Sequence, residues 1–249
     1  MIGLFVFAFV LGIGYVVWLS ASASSSTPSQ LTPGTSLPTR VKATRTPRPT
    51  RTPRPTQTPI PTITPSPAPV HWKVGIVAGH WQNDPGAVCP DGLQEATINL
   101  DVASRVVAIL QANGIEAELL AEFAEQLGGY RADAFVSIHT DSCEFPDLSG
   151  FKVARVASSA IPTVEDRLVG CLIQGYAQAT DLAFHKDTIT FDMTEYHAFW
   201  EIDPATPGAI IELGFMDADR ALLTEHSDLA AFGIARGILS FLSGELGNH

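Results

Sequence analysis

The sequence predicts an α/β fold: a single three-layer α/β/α domain with a twisted, largely parallel central sheet. An apolar N-terminal helix and a disordered linker rich in Pro, Thr, Ser and Arg are expected to precede it. Three observations carry this. From His71 onward, short apolar runs alternate with longer stretches of helical periodicity, the pattern of a parallel sheet covered by helices. Three of those runs end in chemically capable side chains, namely His80, His139 and Glu212. Proline and acidic residues also divide the chain sharply near residue 70.

Residues 2–19 form an uncharged run of 18, the lower limit for a membrane-spanning helix and longer than a usual signal-peptide core. Ala21-Ser22-Ala23 resembles a small-residue cleavage site, so an uncleaved anchor and a cleaved signal both stay open. Either one implies export, with residues 1–19 touching the membrane. Residues 20–70 read as a linker. Twelve of the 18 prolines fall in 1–70, a density that disfavours helix and sheet. The hexad Arg45-Thr46-Pro47-Arg48-Pro49-Thr50 repeats immediately as residues 51–56. Fully extended, such a linker reaches on the order of 150 Å at ~3.1 Å per residue.

The domain, 71–249, is read element by element. Residues 73–78 form a first strand. Residues 93–111 form a helix whose apolar face is Ile98, Val102, Val106, Ile109 and Leu110, and Asn113-Gly114 ends it. Strands follow at 115–120, 134–139 and 151–157. Thr163 is the expected cap of a helix running to about Thr180. Residues 196–200 read as a short strand and 208–212 as the last strand. Helices near 217–224 and 229–242 close the chain.

Charge excludes one class of partner. All 26 acidic residues lie in 71–249, against nine basic ones there, a formal −17. A domain that acidic repels polyphosphate, which argues against nucleic acid. Three cysteines make no disulfide scaffold. Cys171 sits in a helical pattern as a small buried hydrophobe. Cys89 and Cys143 each follow a chemically capable strand end, where a disulfide or two thiols are both compatible with the sequence. The sequence leaves oligomeric state unread, with a monomer as the default.

His80, Glu95 and His139 form a ligand set for one zinc ion, Zn2+. Zinc in hydrolases takes three such protein ligands and leaves one position for water, whose pKa it lowers towards ~7. A separate carboxylate then moves the proton, and Glu212 is the natural candidate. Glu95 opens the first helix, 15 residues after His80. The turn signals Asp84-Pro85-Gly86 and Pro90-Asp91-Gly92 allow the intervening loop to fold back. At strand ends of an open α/β sheet, such residues gather at one edge. Trp81 could stack on a sugar or cover the core. His197, with Glu195 and Tyr196, could orient substrate or be a packed histidine.

Residues 73–243 resemble the zinc-dependent N-acetylmuramoyl-L-alanine amidases, bacterial cell-wall amidases of the amidase_3 type. Gly79-His80 with Asp84-Pro85-Gly86-Ala87 is similar to that family's first zinc-binding loop. Gly92-Leu93-Gln94-Glu95, then Asn99-Leu100, is similar to its second-ligand helix. Residues 132–139 are similar to its third-ligand strand, and Glu212-Leu213-Gly214-Phe215 to its catalytic Glu segment. The resemblance implies zinc on His80, Glu95 and His139, with Glu212 as acid/base. It implies hydrolysis of the amide joining N-acetylmuramic acid to L-alanine, so the glycan and stem peptide of peptidoglycan are the expected partners. The chain departs from the family pattern with Val77-Ala78 before the first ligand, Trp81-Gln82 after it, and Thr140-Asp141 after the third. Asp141 is the substrate candidate at that last position. Some family members carry an inhibitory helix; residues 122–130 are too few for a long one, which predicts an open site. A zinc carboxypeptidase-like metallopeptidase and a non-catalytic wall-binding module are the alternatives.

Overall fold

The computed structural model describes residues 71–244. The expected anchor at 1–19 and linker at 20–70 lie outside the described residues. Five strands form one sheet: β1 (Lys73–Ala78), β2 (Glu116–Ala121), β3 (Ala134–Asp141), β4 (Lys152–Ala154) and β5 (Gly208–Phe215). Their order is β2-β1-β3-β5-β4. All neighbours are parallel except β4, which runs antiparallel to β5. The helices are α1 (Glu95–Ala112), α2 (Pro162–Thr180), α3 (Phe191–Thr194), α4 (Ala198–Glu201), α5 (Arg220–Glu225) and α6 (Ser227–Ser243). Among the described residues no helix is long and apolar enough to cross a membrane.

The period-2 alternation of each strand sorts its side chains onto two faces. Val74, Ile76, Val136, Ile138, Ile211 and Leu213 face α1, α2 and α6 in one large apolar cluster. Val77, Phe135 and Ile210 face the other way, into a smaller cluster with Tyr130, Met193, Tyr196, Phe199 and Ile202. The front layer is therefore not the set of long helices that a three-layer reading implies. It is built from α3, α4 and loop segments. On the rear, α2 and α6 cross almost backbone to backbone. A Cβ on Gly175 would lie 2.6 Å from the Gly233 carbonyl oxygen, and one on Gly237 would lie 2.8 Å from Leu172 Cα. Tyr176 is buried at this crossing and donates its hydroxyl proton to the Leu213 carbonyl at 2.7 Å, tying α2 to β5.

Three expectations are corrected. Residues 196–200 are not a strand: Tyr196 precedes α4, and Tyr196, Phe199 and Ile202 all bury into the front cluster. Their spacing of three is helical, and two aromatics close together disguised it as a β pattern. The fourth strand is only Lys152–Ala154, because Arg155 turns aside to pair with Asp166. Helix α2 starts at Pro162 after Ile161, not from a Thr163 cap; proline's fixed φ suits the first helical turn.

Glu165 of α2 is buried, accepting a hydrogen bond from the Gly208 N–H, and burial pushes its carboxyl pKa up. A folded-state pKa above the unfolded value makes the native state bind the proton more tightly. Its stability contribution is then present at low pH and lost as pH rises. Glu165→Gln is expected to raise the melting temperature at pH 8 and leave it nearly unchanged at pH 4, measured by circular dichroism. Equal shifts at both pH values would contradict this.

Candidate active site

The strand order reverses between β1 and β3, which lie side by side while their connections run to opposite sides. Open α/β sheets place their sites at the carboxyl ends of such a pair. His80 follows β1 there, and His139 lies on β3. Glu212 is the Cα register partner of His139 across the β3–β5 pair. Glu95 returns to them because its loop folds on itself. The Glu95 N–H donates to the Ala87 carbonyl at 2.9 Å, the Cys89 N–H donates to that of Leu93 at 2.9 Å, and Val88 bridges Gln94. Cys89 and Cys143 are joined by a disulfide with Cα atoms 5.6 Å apart, which ties this loop to the one after β3. Cys171 is free and buried.

The three candidate ligands come together. His80 Nε2 lies 3.4 Å from Glu95 Oε2, and His139 Nδ1 lies 3.2 Å from Glu95 Oε1. One ligand atom from each falls within 4.8 Å of the others, so the trio could hold a metal ion. Glu95 also accepts from the N–H groups of Ala87 and Thr140 and from the Asn99 amide. Burial raises its pKa, but His139, His80 and the Ala87 N–H together outweigh burial and hold it below the usual value. It is thus an anion ready to coordinate. The far nitrogens of both rings face carboxylates: His80 Nδ1 lies 2.7 Å from Asp84 Oδ1, and His139 Nε2 lies 3.5 Å from Glu122 Oε2. Metal-binding histidines are oriented in this way.

Two glycines leave room for the cluster. A Cβ on Gly79 would lie 2.5 Å from the His139 ring, and one on Gly86 would lie 2.7 Å from Glu95 Oε2. Two imidazoles, one anionic carboxylate and this clearance fit a zinc ion.

Glu212 is half-buried with Oε2 wholly enclosed and unpartnered. Burial, reinforced by the charges of Asp141 and Glu95 and opposed by His139 and Lys152, pushes its pKa to about 7. A carboxyl poised there can take and return a proton near neutral pH. These residues line an open cleft of about 560 Å³.

The structure also places the substrate candidates. Asp141 lies in the cleft and pairs with Lys152. His197 lies there too, 3.0 Å from Glu122 and 2.7 Å from Glu201, stacked on Phe123. Burial lowers the His197 pKa, but those carboxylates raise it further. Trp81 lies outside the cleft lining. It borders a neighbouring groove with Leu119 and Phe123 and packs on the rear core. Residues 122–130 form one 3-10 turn, Glu125–Leu127, in place of a covering helix.

Sequence reasoning missed Glu122, Lys152 and the Tyr196 hydroxyl, and it read Asp84 as a turn former and part of the loop resembling the family's first zinc-binding loop, not as the partner of the His80 ring. Glu122 had a signal: it ends the apolar run of β2 just as Glu212 follows one in β5. Lys152 had none, because β4 is three residues long.

Fold and cleft together define a mixed α/β domain whose cleft carries a histidine–glutamate–histidine cluster able to hold a metal. The family model described as Amidase_3, N-acetylmuramoyl-L-alanine amidase, matches residues 74–240, and the chain belongs to that family. It is an amidase of that class. Among solved structures it is similar to the N-acetylmuramoyl-L-alanine amidase AmiC2 of Nostoc punctiforme: 29% identity, TM-score 0.54, covering 69% of this chain and 97% of that one. It is similar also to the catalytic domain of CwlV, an N-acetylmuramoyl-L-alanine amidase from Paenibacillus polymyxa var. colistinus: 25% identity, TM-score 0.53, covering 69% and 98%. The CwlD amidase of Clostridioides difficile, solved in complex with the GerS lipoprotein, shares the fold at 20% identity, TM-score 0.55, covering 70% and 100%. Comparison with curated proteins finds no match.

Proposed function

We propose that this chain is a zinc-dependent peptidoglycan amidase in which His80, Glu95 and His139 hold the ion and Glu212 is the general acid/base. The observation that carries the reading is the convergence of this trio and Glu212 in one cleft. The family match over 74–240 and the named activities of the Nostoc and Paenibacillus proteins support it. When bound, zinc would polarise the scissile carbonyl and make water acidic enough to attack near neutral pH.

The chain's own residues do the rest. Glu212 takes the proton released as water adds to the lactyl carbonyl carbon. It returns a proton to the L-alanine nitrogen as the C–N bond breaks, leaving a carboxylic acid and a free amine. Glu122 and Asp84 orient the two imidazoles. Asp141 and His197, both in the cleft, contact the substrate. The metallopeptidase alternative needs an arginine for a terminal carboxylate, and the cleft lining holds none.

The enzyme acts outside the cytoplasm, where the Cys89–Cys143 disulfide persists. Residues 1–19 tether it to the membrane, or are removed near Ala23, and 20–70 span the distance to the wall.

Mass spectrometry of digested peptidoglycan is expected to show stem peptides with new L-alanine amino termini and intact glycan strands. Chelation should abolish these products, and added zinc should restore them. Shortened glycans, free amino acids or chelator-insensitive release would overturn the reading.

A further inference from the structure

We infer that Glu122 is a positioning residue that presets the backbone of His80, the first ligand of the metal cluster, before any ion arrives; this rests on the zinc reading above. Ala78 and Ala121 are register partners in the parallel β1–β2 pair, so the residues just past both strands emerge at the same sheet edge. Glu122 is one of them, and its buried carboxylate is shared between two sides. Oε2 accepts the backbone N–H of His80 at 2.7 Å and faces His139 Nε2 at 3.5 Å. Oε1 accepts the Tyr196 hydroxyl at 3.0 Å and faces His197 Nε2 at 3.0 Å. Tyr196 is fixed in turn by the Ser137 hydroxyl, which donates to it at 3.0 Å.

One consequence follows for the ligands. His80 has φ +64°, a left-handed conformation that a residue with a Cβ adopts only when its surroundings impose it. The short bond from its N–H to Glu122 is such an imposition, and it aims the His80 ring at Glu95. Glu122 therefore sets the backbone conformation from which the first ligand reaches the cluster.

Two variants test this at the backbone. In Glu122→Gln the amide oxygen can still accept the His80 N–H while its NH2 faces His197 and Tyr196, so the bond is kept; Glu122→Ala removes it. Zinc affinity measured by competition with a chromophoric chelator is expected to fall about 100-fold in the Ala variant and to stay within about 10-fold of wild type in the Gln variant. Hydrogen exchange of the metal-free protein should show the His80 amide protected in the wild type and the Gln variant and exposed in the Ala variant. If the wild type takes up one zinc and Glu122→Ala binds it equally tightly, or Glu122→Gln loses as much as Glu122→Ala, the inference is wrong. If the wild type takes up no zinc, the zinc reading itself fails.

Discussion

Glu212→Gln is expected to lower kcat on peptidoglycan by roughly a thousandfold, with little change in KM and full zinc content. The magnitude follows from the role. General acid–base groups contribute about 10²–10⁴-fold, and here one carboxyl serves both proton transfers. A thousandfold loss corresponds to about 4 kcal/mol of transition-state stabilisation. The change should appear in kcat because Glu212 acts on the reacting atoms rather than on ground-state binding. The same substitution is expected to make the metal-free protein more stable at pH 8. Glu212 sits beside Asp141 with an enclosed oxygen and a pKa near 7, so above that pH the native state holds an unfavourable buried charge that glutamine lacks. Activity lost while stability is gained is the signature of a functional residue kept at a structural cost. Dye release from labelled walls and thermal melts check both. Activity within tenfold of wild type would remove Glu212 from the mechanism.

Loss of the Cys89–Cys143 bond carries the largest effect on folding. The bond closes a segment of sequence separation 54 that contains all of α1, β2 and β3. Loop-closure entropy for that length is about 4 kcal/mol. For a domain of this size, each kcal/mol moves the melting temperature by roughly 2–4 °C. The Cys89→Ser/Cys143→Ser double variant should therefore melt about 10 °C lower than the oxidised wild type. Zinc affinity should fall too, because Cys89 belongs to the loop that delivers Glu95 and Cys143 follows β3, which carries His139. Scanning calorimetry with and without zinc checks this. A drop under about 2 °C would show that the link constrains little.

The convergence of His80, Glu95, His139 and Glu212 in one cleft was legible because each sits at or beside the end of an element whose pattern is local. His80 follows an apolar run and Glu95 opens a helical periodicity. Their meeting required only that parallel strands end at one edge. The supporting residues were less legible because their partners are remote. Glu122 answers to His80, 42 positions earlier, and to His197, 75 later. Lys152 answers to Asp141 through a three-residue edge strand that pattern reading lengthened to seven. The Cys89–Cys143 pairing was open in sequence, since proximity of two rims depends on how both loops fold. Residues 196–200 show the commonest failure: two buried aromatics within four positions suit a strand or a turn of helix, and only the third contact, Ile202, decides.

The unequal faces of the sheet bear on how such an enzyme diversifies. At the rear, glycine-mediated contact between α2 and α6 leaves no slack, so almost any added atom must be answered by moving a whole helix. At the front, the wall of the cleft from Thr190 to His197 holds only the single-turn helix α3 and loop, and reworking it need not disturb the hydrogen-bonded ladder behind. Variation is thereby channelled. New substrate ranges would be reached by exchanging that short wall, and a library confined to it would sample specificity while the machinery for folding and hydrolysis is inherited unchanged.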